Sequence, residues 1–212
     1  MTVITAAQRP DFDLIVDLTP PGGRVLDVGC GAGGLLARLR EEREAVARGL
    51  ELNADRVAQC LAQGLSVIQG DADRDLGVYP DAGFDVVVLS RTIQATRSPR
   101  RVLTELARIG TKVVVSFPNY AWWGKRVRFL GQGRAPVDTA DGEPWWSREA
   151  IHPCSIKDFI ALADHVGLDT QAAYALSPTR AKPLKPRRLA GANWAAREAM
   201  FVLGRANKDL NT

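Results

Sequence analysis

Short apolar runs alternate with helical patterns along the first half of the chain. Strand-length runs of apolar or β-branched residues occur at 24–29, 45–51, 65–69, 84–90 and 111–117. Apolar residues at helical spacing, with Asn53 and Ser98 as N-caps and Pro99 at a first helical position, predict helices at 33–40, 54–63 and 99–108. Five strands that alternate with helices predict a doubly wound α/β domain with a mostly parallel sheet.

The second half of the chain completes this pattern. Ser155 and Asp158 have the spacing of a capping box and predict a helix that ends at Gly167. Strand-like stretches follow at 168–176 and 197–203. We therefore expect a Rossmann-like α/β fold in a single domain over residues 1–212, with a seven-stranded, mostly parallel sheet and helices on both faces.

Two segments interrupt the alternation. Residues 117–150 hold seven of the fourteen aromatic residues and little regular pattern, which predicts a lid or insert. Such a segment lines a substrate pocket, forms a partner-binding surface or completes the core, and the sequence leaves all three open. Residues 177–192 hold three prolines and five basic residues, which predicts a stiff basic loop. This loop lacks interleaved aromatic residues, which disfavours nucleic-acid binding.

Composition narrows the class of protein. Hydrophobic residues make up 46% and charged residues 25% of the 212 residues, which is typical of a globular protein and excludes wholesale disorder. Cys30, Cys60 and Cys154 form no CxxC pair, so neither a zinc site nor a disulfide framework is indicated, and a reducing compartment fits best. Residues 1–12 lack a signal-peptide pattern, and no apolar run has membrane-spanning length. We expect a cytoplasmic protein with no membrane partner.

A glycine-rich loop carries the main candidate chemistry. Residues 27–33 read Asp-Val-Gly-Cys-Gly-Ala-Gly and join a predicted strand to a predicted helix. Its glycines let the backbone approach a ligand, and the helix N-terminus offers unpaired N–H groups. The glycine spacing also satisfies the dinucleotide pattern GxGxxG. Asp27 favours another ligand, because a carboxylate at a strand end stabilises a cationic aminoacyl-sulfonium such as S-adenosylmethionine (SAM) and does not stabilise an anionic dinucleotide.

Acidic residues also follow the next two predicted strands. Glu51 ends the second strand, where a carboxylate accepts hydrogen bonds from both ribose hydroxyls. Asp71 and Ala72 follow the third strand, where they would contact adenine, although Gly-Asp is also common in turns. The candidate residues for binding SAM or S-adenosylhomocysteine (SAH) are Asp27, Gly29, Cys30, Gly31, Gly33, Glu51, Leu52, Asp71, Ala72 and Ser90.

The sequence contains no clear catalytic or metal-binding pattern. Methyl transfer from a sulfonium is an in-line displacement that needs alignment and, for some nucleophiles, one general base. His152 is a candidate base, although a structural role fits it as well. Residues 89–94, after the fourth strand, lack the Asn-Pro-Pro-Tyr motif of nucleic-acid amino-group methyltransferases, which disfavours DNA base methylation.

Several strings of the sequence resemble a known family. The glycine loop, Glu51 and Gly70-Asp71-Ala72 resemble motifs I to III of the class I SAM-dependent methyltransferases over residues 22–117. More specific strings are LSRTIQAT at 89–96, VSFPNY at 115–120, GRAPV at 133–137, WW at 145–146 and IHPCSIKDF at 151–159. Together they are similar to the methionine biosynthesis protein MetW family over residues 10–205.

This resemblance implies a SAM-binding, methyltransferase-like protein that works with a homoserine O-acyltransferase (MetX) and is needed for its activity. The alternative is an active SAM-dependent methyltransferase that acts on a small molecule, with His152 as its base. The chain departs from the family at Arg91, where Gln is usual, and at 148–150, where Arg-Glu-Ala replaces Thr-Pro-Asn. These departures leave lid geometry and partner choice open.

Overall fold

The computed structural model describes residues 9–133, 152–185 and 189–205. The helices in these ranges are α1 (Pro10–Leu18), α2 (Gly34–Arg43), α3 (Ala54–Ala62), α4 (Pro99–Ile109), α5 (Trp123–Gln132), α6 (Ile156–His165) and α7 (Leu189–Ala195). The strands are β1 (Arg24–Val28), β2 (Val46–Glu51), β3 (Ser66–Gln69), β4 (Phe84–Ser90), β5 (Gly110–Pro118), β6 (Leu168–Ser177), β7 (Arg180–Pro183) and β8 (Glu198–Arg205). Each of the seven predicted strands is present, with ends that differ by at most two residues.

The strands of the described residues form one sheet in the order β3-β2-β1-β4-β5-β8-β6-β7. The strands β3, β2, β1, β4 and β5 are parallel to one another, whereas β8 is antiparallel to β5 and β6, and β7 is antiparallel to β6. The predicted Rossmann-like, mostly parallel sheet is therefore confirmed. The predicted number of seven strands is wrong by one, because residues 180–183 of the predicted basic loop form β7.

Successive residues of the central strands pack on opposite faces of the sheet. In β4, Val87 and Leu89 belong to the core beneath α4 and α6, whereas Val86 and Val88 belong to the core beneath α1 and α2. All four side chains are buried. A continuous apolar run is the pattern expected of a parallel strand that is covered on both faces.

Two of the three predicted helix caps are confirmed. The side chain of Asn53 caps α3, and Ser155 and Asp158 form the reciprocal capping box of α6. Ser98 occupies the N-cap position of α4, but its side chain makes no capping hydrogen bond. The Asp73 carboxylate instead accepts hydrogen bonds from the N–H groups of residues 97 and 98, at 2.8 Å each. An acceptor from the turn after β3 thus replaces the local cap.

The described part of the aromatic segment, residues 117–133, is more regular than predicted. It contains the end of β5 and all of α5. This helix buries only Lys125, so it lacks the inward apolar stripe that makes a helix recognisable in a sequence. Residues 134–150, which include the replaced triplet at 148–150, lie outside the described residues.

The segment predicted as a basic loop, 177–192, also contains regular structure. Strand β7 pairs with β6 from Ser177↔Arg180 to Tyr174↔Pro183, and α7 begins at Leu189. Pro183 is compatible with a strand here because β7 lies at the edge of the sheet, where a missing N–H leaves no neighbour unpaired.

No element is predicted before residue 24, yet the described chain begins with α1. Pro10 opens this helix, and Phe12, Ile15 and Val16 are buried beside α2. The helix brings Arg9, which precedes it, to the carboxyl ends of the central strands. Within the described ranges, no helix combines the length and the apolar character needed to cross a membrane.

Candidate functional site

A cavity of about 460 Å³ opens at the carboxyl ends of β1, β2 and β4. It lies beside the point between β1 and β4 where the strand order reverses, which is where open α/β sheets bind ligands. Nine of the ten predicted cofactor residues line it: Asp27, Gly29, Cys30, Gly31, Glu51, Leu52, Asp71, Ala72 and Ser90. The tenth, Gly33, does not line the cavity.

The glycines of the loop have different roles. Gly31 and Gly33 both have positive φ angles, 58° and 81°, which favour glycine. A Cβ atom on Gly31 would lie in open space, so this position leaves room at the cavity wall. A Cβ atom on Gly33 would collide with the side chains of Leu65 and Cys60. Gly33 therefore allows α2 to pack closely against α3 and the start of β3.

Asp27 is a buried carboxylate at the carboxyl end of β1. Its side chain is only 2% exposed, and among the described residues its Oδ1 atom has no hydrogen-bond partner. Burial raises the pKa of Asp27 to about 7; the charge of Arg9 opposes this rise, whereas Asp11 and Glu51 add to it. A buried carboxylate oxygen without a donor is costly. A cationic donor in the cavity would satisfy it.

Glu51, the last residue of β2, is held against the glycine loop. Its Oε2 accepts a hydrogen bond from the Gly31 N–H at 2.8 Å, and its Oε1 accepts one from the Asn53 N–H at 2.9 Å. These bonds fix the carboxylate at the cavity wall. A carboxylate offers about four acceptor positions, so two remain for hydroxyl groups of a ligand.

Asp71 and Ala72 line the cavity beyond β3. Asp71 Oδ1 accepts a hydrogen bond from the Asp73 N–H at 2.9 Å, and the Asp71 N–H donates to Asp75 at 2.7 Å. The Gly-Asp pair therefore forms an Asx-type turn and also contributes to the cavity wall. Since Asp73 caps α4, this turn is anchored on both sides.

A buried polar network joins the start of α1 to the ends of β4 and β5. Arg9 donates hydrogen bonds to Asp11 and to Ser90 Oγ. Asp11 also accepts from Ser90 at 2.8 Å and from Ser116 at 3.3 Å. Although burial acts to raise it, the hydrogen bonds and charge of Arg9 lower the pKa of Asp11. Arg9 and Phe12 both line the cavity.

Arg91, which stands where the family usually has Gln, lines the cavity in a left-handed conformation with φ of 56°. Its N–H donates to the Ser116 carbonyl at 2.8 Å, and its Nη2 lies 2.9 and 2.7 Å from the two carboxylate oxygens of Glu198. The departure from the family at this position therefore forms an ion pair between the end of β4 and the start of β8.

His152 lies outside this cavity. It lines a second cavity of about 180 Å³ together with Ile93 and Phe159, and its Nε2 is 3.2 Å from the Arg97 carbonyl oxygen. The backbone N–H of His152 donates a hydrogen bond to the Gln94 carbonyl oxygen at 3.0 Å. The structure thus separates the candidate base from the predicted cofactor residues.

The described residues contain no cluster of potential metal ligands, and the cysteine in the cavity wall is not a reactive thiol. Burial raises the pKa of the Cys30 thiol, which stays protonated at neutral pH. No group of three or more potential metal ligands occurs within the described ranges.

Sequence reasoning misses several cavity residues, among them Arg56 and Asp73 and two further sets. Arg9 precedes the short helix α1 and Phe12 lies within it, and no local signal in the sequence indicates that they contact the cavity. Thr92, Ala95 and Thr96 follow β4 and also line the cavity. They lie within the string at 89–96, so the resemblance marked this region without assigning these side chains to the site.

The sheet order, the glycine loop and the acidic residues at three strand ends define the Rossmann-like fold of class I SAM-dependent methyltransferases. An SAM-dependent methyltransferase from Mesorhizobium loti matches with a TM-score of 0.68 and 16% identity, covering 94% of this chain and 100% of that one. A possible histamine N-methyltransferase from Thermotoga maritima matches with a TM-score of 0.67 and 16% identity, over 94% and 89%. At this identity the matches show the fold.

The comparison with protein families assigns the chain more narrowly than the fold does. The family model described as methionine biosynthesis protein MetW matches residues 9–203, and the chain therefore belongs to the MetW family. The bifunctional methionine biosynthesis protein MetXA/MetW of Rhodopirellula baltica is 33% identical over 134 residues, which cover 59% of this chain and 22% of the relative. Matches to the first three curated relatives cover 22% to 33% of their lengths. The chain is a methyltransferase-like protein of methionine biosynthesis.

Proposed function

We propose that the chain binds SAM, or its demethylated form SAH, in the cavity at the ends of β1, β2 and β4. The observation that carries this proposal is the buried, unpartnered Oδ1 atom of Asp27. The α-ammonium group of SAM would donate to it. Hydrogen bonds to charged groups contribute about 1.5–3 kcal/mol, and burial strengthens them.

The remaining cavity residues suit the rest of the molecule. The two free acceptor positions of Glu51 match the two ribose hydroxyls, and Asp71 with Ala72 would flank the adenine. The open space beside Gly31 gives the ligand room to approach the loop. Asp27 disfavours the dinucleotide alternative, since a pyrophosphate at this loop would meet its carboxylate in the same cavity. Glu51 does not discriminate, because both kinds of cofactor place a ribose on such an acid.

Calorimetric titration with SAH tests this binding without interference from methyl transfer. The wild type is expected to bind, and Glu51→Gln is expected to bind at least tenfold more weakly because the ribose loses a charged acceptor. Glu41→Gln, on the exposed side of α2, is a matched control and should bind like the wild type. Absence of binding to the wild type, or equal affinity in the Glu51 variant, would contradict the site.

We further infer that the chain acts with a MetX-type homoserine O-acyltransferase and is required for its activity. Membership in the MetW family supports this inference, as does a relative whose name joins MetXA and MetW in one chain. The separation of His152 from the cavity also supports an accessory role over independent methyl transfer.

An exposed surface on α5 is suited to contact this partner. Trp123, Val127 and Leu130 lie at helical spacing and are all exposed, Leu130 to 82%. Trp194 of α7 is exposed as well, with the Arg126 guanidinium 5.1 Å from its ring centre. Tryptophan and arginine are enriched among residues that dominate binding at protein interfaces.

Co-purification and acyltransferase assays test the partnership. We expect the acyltransferase to co-purify with the chain and to be active only in its presence, and addition of SAM to the assay measures whether the cofactor regulates the pair. Trp123→Ala should weaken the complex while SAH affinity is unchanged. Leu61→Ala is the control, because Leu61 is an apolar residue of α3 that is also about half exposed. No complex and no activation, together with methyl transfer to a metabolite, would favour an active methyltransferase instead.

A further inference from the structure

We propose that Arg9 binds the α-carboxylate of the ligand, so that Arg9 and Asp27 together select ligands with an intact α-amino-acid end. This inference rests on the proposed binding of SAM and specifies what the cavity recognises beyond the adenosine. It assigns a function to the residue that precedes α1.

Arg9 lines the cavity, and some of its guanidinium N–H donors make no hydrogen bond to the described residues. Its hydrogen bonds to Asp11 and Ser90 use Nε and Nη2. Among the described residues, Nη1 donates to no protein acceptor, which leaves two of the five guanidinium N–H groups for a ligand. The Nε and Nη2 side of the guanidinium already holds Asp11, so an incoming carboxylate would accept charge-assisted hydrogen bonds from Nη1 alone.

The surroundings of Arg9 hold it in place before any ligand arrives. Asp11 is 1% exposed, and its carboxylate is fixed by Ser90 and Ser116 as well as by Arg9. The guanidinium also lies 4.1 Å from the ring centre of Phe12. A side chain that is already ordered loses little further entropy on binding, which favours affinity.

Arg9 and Asp27 form a pair of opposite charges in one cavity. Both residues line it, and the charge of Arg9 reaches Asp27, whose pKa it lowers against the effect of burial. A zwitterionic amino-acid end would pair its ammonium group with Asp27 and its carboxylate with Arg9. A ligand with the ammonium group alone would place that charge near the guanidinium and leave its Nη1 donors without a ligand acceptor, so Arg9 also acts against such ligands.

Three adenosine thioethers separate these contributions by calorimetry. SAH carries both charged groups, decarboxylated SAH keeps only the amine on a 3-aminopropyl chain, and methylthioadenosine has neither group. The wild type should bind SAH about 10- to 100-fold more tightly than decarboxylated SAH. Arg9→Met should lose this preference mainly through weaker SAH binding, and Arg9→Lys should retain part of it.

The matched control is Arg101→Met, because Arg101 is an exposed arginine of α4 that does not line the cavity. It should keep the wild-type preference for SAH over the decarboxylated form. A wild type that binds both ligands equally would overturn the role of Arg9 while leaving SAM binding intact, and this result needs no variant. A preference that survives Arg9→Met would overturn it as well. Failure of the wild type to bind SAH at all would overturn both proposals.

Discussion

Replacement of Asp27 by Asn should have opposite effects on stability and on ligand binding. The wild-type carboxylate is buried with Oδ1 unpartnered, so its ionised form is costly in the folded protein without ligand. Asn has nearly the same shape and no charge to desolvate. We therefore expect Asp27→Asn to stabilise the ligand-free protein at neutral pH and to weaken SAH binding at least tenfold.

The size of the stability effect follows from the pKa of Asp27. Burial raises this pKa from 3.8 to about 7, and a difference of one pH unit corresponds to about 1.4 kcal/mol. The folded wild type binds the proton of Asp27 more tightly than the unfolded chain does. The contribution of Asp27 to the free energy of unfolding therefore falls as the pH rises from about 4 to about 7. Between pH 5 and pH 8, the advantage of Asp27→Asn should grow by about 2–3 kcal/mol.

Urea unfolding of the two proteins without ligand, at pH 5, 6, 7 and 8, measures this difference. Asp85→Asn is the control with the opposite electrostatics, since the backbone N–H and side chain of Arg24 lower the pKa of Asp85. Asp85 is ionised in both the folded and unfolded states from pH 5 to pH 8, so the effect of its replacement should not change over this range. A destabilised Asp27→Asn protein at pH 8, or a difference independent of pH, would refute the argument that Asp27 is buried without a partner.

Four further substitutions test the loop and the core. Gly31→Ala should cost about 1–2 kcal/mol for its left-handed backbone and should weaken SAH binding in calorimetry much more than it lowers stability. Gly33→Ala should show the reverse, a loss of more than about 2 kcal/mol in urea unfolding, because its Cβ would collide with two buried side chains. Phe117→Ala, which removes a fully buried ring packed on two others, should cost about 3–5 kcal/mol in the same measurement. Ser155→Ala should cost about 1 kcal/mol by removing the capping box of α6, and a neutral result would contradict that cap.

The parts of the fold that could be predicted from the sequence are those with strong local patterns. Five of the seven residues at 84–90 are apolar because β4 is covered on both faces. Parallel strands end at the same edge of a sheet, so Asp27, Glu51 and Asp71 could be placed together from their positions alone. Their shared cavity agrees with that prediction.

The parts that could not be predicted depend on contacts between distant residues. Arg9 meets Ser90 across 81 positions of the chain, and no local pattern indicates such a bond. Whether Gly33 faces a ligand or packs against α3 depends on where Cys60 lies. Asp73 takes over the capping of α4 from Ser98 because the fold brings another turn to that helix start.

A crystal structure of the chain with SAH bound tests the central claim most directly. We expect the ligand in the cavity at the ends of β1, β2 and β4, with its amino nitrogen about 2.7–3.2 Å from Asp27 Oδ1 and its ribose hydroxyls on the Glu51 carboxylate. SAH bound elsewhere, or bound here with its amino group directed away from Asp27, would contradict the account.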